Sequence, residues 1–168
     1  VELLGRKQQN RTTGAKCLRL RLAWRLHRLG ILQQSDNTDV VIIGPNKHGD
    51  RTFFSDNWPN KARHWLATVD HIADKATAEF IVIAPSRLQV VSNGLQIERT
   101  NLDERTTRTH WNQSVPISPW LFVIGAAEFA VQRVDEFDHK AIETWVYRQD
   151  RDAGFYDFAV PTKDALAF

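Results

Sequence analysis

The chain has 168 residues, 42% of them hydrophobic and 25% charged, which suits one domain with a core of its own and excludes a disordered chain. The net charge of +2 hides an asymmetry: residues 1–34 hold eight Lys or Arg and one Glu, the rest fourteen basic and nineteen acidic. The pI near 8.9 therefore belongs to the first 34 residues, and a nucleic-acid-binding surface spread over the whole domain is excluded.

Cys17 is the single cysteine, so an intrachain disulfide and a cysteine-based zinc cluster are excluded. No apolar run approaches the roughly 18 residues of a membrane span, and a membrane partner is not expected. There is no Met anywhere, from which the chain is expected to be a fragment or a processed product.

In chain order, residues 1–14 are polar with little periodicity and read as loose. Residues 18–22 (LRLRL) alternate strictly, as in a strand with one apolar face. Extended to residue 29, the same stretch also fits a basic amphipathic helix; the pattern favours an edge strand. Residues 33–38 read as a polar linker. Residues 40–43 form a β-branched run closed by Gly44-Pro45-Asn46. Further strands are expected at 51–54 and 76–84. Residues 89–92 and 95–99 flank Asn93-Gly94, a hairpin signal. Residues 105–112 alternate as in a half-exposed strand, whereas 120–124 are wholly apolar and read as buried. Gly125-Ala126-Ala127 reads as a tight bend, and strands are expected at 128–134 and 142–148. A helix is expected to start at Pro161, with Thr162 as its N-cap. The sum is an all-β domain, sandwich-like or a curved antiparallel or mixed sheet, with the start of a helix at its end.

The densest stretch for function is 49–76. Its middle, Ser55-Asp56-Asn57-Trp58-Pro59-Asn60, is a turn in which Asp and Asn bond their own backbone and Pro fixes φ. A large aromatic on a stiff loop is a candidate for recognition, and Asp56, Asn57 and Trp58 are the candidate site residues. Trp65, Trp120 and Trp145 sit in apolar company and are expected in the core, whereas Trp111 alternates with polar neighbours and is expected at the surface. His48, His64, His71 and His110 are separated by 16, 7 and 39 positions, which fits no metal-ligand pattern among the nearby Asp50, Asp56, Asp70 and Asp74. Cys17 reads as a passive thiol.

The stretch also resembles a known family. Ala62-Arg63, then Trp65-Leu66, then the ending from Asp70 to Lys75-Ala76 are similar to the N-terminal domain of the M1 (aminopeptidase N-like, gluzincin) zinc metallopeptidases. The resemblance runs over residues 41–168. It implies a saddle-shaped β-domain over 35–160 and, at 161–168, a helix leading into a thermolysin-like catalytic domain that this chain lacks; residues 1–34 are a basic segment of unsettled origin. It implies zinc in the full-length enzyme, hydrolysis of N-terminal peptide bonds, and two partners: the substrate's N-terminus and that catalytic domain. No nucleic acid is implied. The family's Gln-x-Gln or Gln-x-Glu loop, which holds the substrate amine, aligns with Asp56 and Trp58, a departure from the pattern. Arg63, Asp70 and Lys75 match positions of structural character. The metal motif His-Glu-x-x-His is absent, since the six histidines are followed by Arg28, Gly49, Trp65, Ile72, Trp111 and Lys140, and the Gly-x-Met-x-Asn loop cannot exist without Met. No catalytic or metal residue is therefore expected in this chain, which should be inactive alone. The rival reading is a stand-alone β-sandwich module that binds glycan or protein through its tryptophans.

Overall fold

The computed structural model describes residues 3–9, 16–23, 41–66 and 68–168. Its strands are β1 (Leu3–Gln9), β2 (Lys16–Ala23), β3 (Val41–Pro45), β4 (Arg51–Ser55), β5 (Ala76–Pro85) and β6 (Gln89–Ser92). They are followed by β7 (Leu95–Asn101), β8 (Thr106–Ile117), β9 (Ile124–Ala127), β10 (Phe129–Phe137), β11 (Lys140–Tyr147) and the helix α1 (Arg151–Ala167). One sheet has the order β1-β2-β5-β8-β7, a second β3-β4-β9-β6, and β10-β11 form a hairpin. All pairings are antiparallel except that of β2 with β5. The fold is mostly β, as expected.

The core lies between the two larger sheets. On β5, Ala76, Ala78, Phe80, Val82 and Ala84 are buried and every intervening residue is half-exposed, which is the period of two that a strand covered on one face requires. Across from them stand Phe53 of β4, Val90 of β6, and Ile124 and Ala126 of β9. Phe80 meets Phe122 edge-on, with centroids 5.9 Å apart and neither ring exposed. Truncating such a fully buried ring costs about 3–5 kcal/mol. The β10–β11 hairpin leans on this core through Trp145, which lies 6.3 Å from the Trp111 ring.

Several expectations are corrected. Residues 3–9 form β1, paired with β2, and β2 lies between β1 and β5 instead of at an edge. Residues 24–29 of the helical alternative, and the linker at 33–38, fall outside the described residues. Asn93-Gly94 does not close a hairpin: β6 pairs with β9, and β7 pairs with β8 of the other sheet. The local signal for a turn was sound, since Gly94 has φ +85°, but the partners are set at long range. Residues 124–127 are no bend. They form β9, buried at every position, and Gly125 sits there because a Cβ would come within 3.0 Å of Val91 and 3.1 Å of Phe54. The apolar run at 120–124 is divided: Phe122 and Ile124 are buried while Leu121 and Val123 are 45% and 42% exposed.

The helix begins ten residues before the expected start and carries Pro161 inside it. Thr162 is not its N-cap; its hydroxyl donates back to the Phe158 carbonyl. Gly154 brings α1 against β11, where a Cβ would come within 2.7 Å of Val146. Among the described residues no helix is long and apolar enough to cross a membrane.

Candidate functional site

The turn after β4 is built by its own polar side chains. Asp56 Oδ1 accepts the Trp58 backbone N–H at 3.0 Å, and Asp56 Oδ2 pairs with Lys61 Nζ at 3.1 Å. The Trp58 amide hydrogen bond, and after it Lys61, hold the Asp56 carboxyl below its ordinary value. It is therefore ionised at neutral pH, with half its side chain in solvent. The Trp58–Pro59 peptide is cis, and the Asn57 carbonyl accepts the Lys61 N–H at 3.0 Å, closing the turn onto a short 3-10 helix, Ala62–His64.

Asn57 points inward and is 1% exposed. Its Nδ2 donates to the Phe122 carbonyl at 2.5 Å and the Pro119 carbonyl at 3.3 Å, and its Oδ1 accepts the Trp65 indole N–H at 2.6 Å. A buried amide with donors and acceptor both used is fully satisfied. One side chain thus clasps the turn at 56–60 to the turn at 119–122. Nearby, Ser118 Oγ donates to the Ile72 carbonyl at 2.6 Å, which ties a third segment to the same place.

Trp58 points the other way. It is 59% exposed, and its ring leans on that of Trp120 with centroids 4.5 Å apart and planes tilted by 49°. The Trp120 indole nitrogen is buried and has no hydrogen-bond partner among the described residues. Sequence reasoning placed Trp120 in the core and missed it as the support of Trp58; the signal was its place between two prolines' reach, beside Pro119, in a turn. The structure thus puts Asp56 and Trp58 at the surface of one turn and Asn57 beneath it. Trp111 is buried, not exposed, because it shares one face of β8 with Thr107 and Thr109, which are buried with it. Trp65 and Trp145 are half-buried and pack on the core.

Arg63 and Asp70 organise the next turn as expected. Asp70 Oδ2 accepts both the backbone N–H of Arg63, at 3.1 Å, and its Nε, at 3.2 Å. The Asp70 side chain is 4% exposed. Lys75 is exposed and is not a partner in that bonding. The histidines are scattered: His48 pairs with Asp150 at 3.1 Å, His110 with Glu79 at 3.5 Å, and His71 Nδ1 accepts the Ala73 N–H. Among the described residues no group of three or more His, Cys, Asp or Glu could hold a metal ion.

Against known families, residues 43–121 match the peptidase M1 N-terminal domain. Residues 43–121 belong to that family. The matched stretch runs from β3 to the turn before Phe122, and so takes in Asp56 to Trp58, the Arg63–Asp70 pair and β5 to β8. No curated protein matched the chain. Peptidases of the M1 family use zinc, and the donors of this chain do not fit it: no histidine is followed by Glu, and no group of three or more possible ligands comes together among the described residues.

Proposed function

We propose that this M1 N-terminal domain serves a zinc aminopeptidase as a non-catalytic wall of the active-site cleft. In that role the turn at 56–58 meets the N-terminal end of the peptide substrate. The observation that carries the reading is the turn itself, inside the matched family stretch, with Asn57 anchoring it from below and Trp58 offered to solvent on Trp120. Trp58 gives a substrate ammonium an indole face, worth about 0.5–2 kcal/mol. Asp56 supplies a negative charge that Lys61 already shares, so it attracts an amine less strongly than a free carboxylate would. Asn57 holds both in place.

A domain of this kind also needs a surface for its catalytic partner. Tyr156 and Val160, one turn apart on α1, are each more than 60% exposed, and Phe158 is as exposed on the other side of the helix, an amount of open apolar surface that a partner would cover. We take α1 to dock the catalytic domain. The exposed Trp58 over Trp120 also suits stacking on a sugar ring, which keeps the glycan-binding module as the second reading.

The test measures zinc content and hydrolysis of aminoacyl-chromogenic substrates for this chain and for the whole reading frame that encodes it. The reading expects both only in the longer product, where Trp58→Ala raises KM about fivefold, for about 1 kcal/mol of lost amine contact. A short chain that cleaves peptides, or a long one without zinc, refutes it. Saturable binding of oligosaccharides by the short chain, abolished by Trp58→Ala, would put the second reading in its place.

A further inference from the structure

A cavity of about 170 Å³ lies between the β7–β8 edge of the large sheet and the β10–β11 hairpin, and its polar wall is Gln89, Gln96, Arg99, Thr109, Glu143 and Trp145. Its remaining lining is apolar, from Val90 and Val131. The register explains the assembly. Arg99 stands opposite Thr109 and Gln96 opposite Trp111, so these side chains share the face of the sheet that the hairpin covers. Val131 stands opposite Trp145 on the hairpin, with Glu143 two residues before it on the same face.

Three polar groups in this wall have hydrogen-bonding capacity that the described residues leave unused. The Gln89 Oε1 atom is buried with no hydrogen-bond partner, and a buried amide oxygen without a donor is uncommon in folded proteins. Glu143 Oε2 accepts the Trp145 indole N–H at 3.1 Å, which fixes the carboxylate while its other oxygen stays open. Arg99 has neither an ion pair nor a side-chain hydrogen bond among the described residues. The cavity therefore presents one cation, one anion and one lone acceptor. A simple anion would leave Glu143 and Gln89 unmet, and a simple cation would leave Arg99 unmet.

We propose that this cavity binds a free α-amino acid with a small side chain. Its carboxylate rests on Arg99, a guanidinium being well shaped to grip it. Its ammonium donates to Glu143 and to Gln89 Oε1. A cavity of about 150 Å³ holds a benzene-sized molecule, so this one has room for alanine or serine. The site stands on the cavity alone and holds whether or not the cleft reading above does.

The test is a heteronuclear NMR titration of the 168-residue chain with L-alanine, following the Trp145 indole N–H. A saturable shift with a dissociation constant on the order of 1 mM is expected. L-alaninamide and N-acetyl-L-alanine, each lacking one charge, should bind about tenfold more weakly or worse. Arg99→Ala and Glu143→Gln should each weaken L-alanine by a similar factor. Both side chains are exposed, so the variants should keep the parent spectrum elsewhere. No saturable shift well above the expected constant would overturn the proposal. Equal binding of the blocked compounds, or variants that bind as the parent does, would overturn it too.

Discussion

Replacing Asn57 by Ala removes the clasp beneath the candidate site. Three buried partners then lose their bond: the Trp65 indole N–H and the carbonyls of Phe122 and Pro119. Each buried polar group left without a partner costs about 1–3 kcal/mol, and a water in the vacated space recovers part of it. The Pro119 contact at 3.3 Å is the weakest of the three, so we weigh the loss at two good bonds, about 3 kcal/mol. Urea unfolding followed by tryptophan fluorescence should show an unchanged slope and a midpoint lower by about 2 M, for a slope of ~1.5 kcal/mol per M. Trp65→Phe removes one bond from the other side, and the double variant should cost less than the two single ones together by about 1 kcal/mol. A loss below ~1 kcal/mol for Asn57→Ala, or strict additivity with Trp65→Phe, would show that the clasp does not hold the turn.

Gly94→Ala should be severe: φ is +85° and a Cβ would stand 2.1 Å from the Asn112 carbonyl oxygen, so a melting temperature lower by about 5 °C or more is expected, as for ~2 kcal/mol or more in a domain of this size. Asp70→Ala strips Arg63 of its buried carboxylate and should cost about 1–3 kcal/mol, read as a lower urea midpoint. The Asp56 carboxyl titrates below 3.8 in the fold, chiefly through the Trp58 amide and then Lys61. The ionised form is thus the one that stabilises, and its contribution is full well above pH 3.8 and is lost as pH falls through the lower folded value. The stability gap between the parent and Asp56→Asn should therefore be widest near neutrality and close in acid. A gap that stays constant down to about pH 2 would contradict the assignment.

The strands with one covered face were legible in the sequence, because there the covalent period of two and the burial period coincide. β5 shows this best, with Ala76 to Ala84 alternating without a fault. β9 was not legible: Ile124 to Ala127 are buried on both faces, so no alternation survives, and the small residues that make room for Phe54 and Val91 look like a bend. β8 misled in the opposite way. Thr107 and Thr109 count as polar in a pattern, yet they lie inward beside Trp111, and the pattern assigned the wrong face to that ring. Helix α1 was read late because Pro161 suits a first helical turn, while the ten residues before it carry Gly154, whose close approach to Val146 is a tertiary fact. At the candidate site, the turn at 55–60 was visible from Asp, Asn and Pro. That Asn57 would face inward was not, because its two carbonyl partners lie 62 and 65 positions away.

That separation decides what anchors the turn. Two segments so far apart in sequence meet at the entropic cost of closing the chain between them, which includes β5 to β8. The surface that carries Trp58 thus depends on contacts made at long range, although nothing near it in sequence looks difficult to form. A short peptide copying residues 55–60 would have the turn residues without the Phe122 carbonyl or the Trp65 indole, and the loop could not be moved to another scaffold unless its distant anchors moved with it.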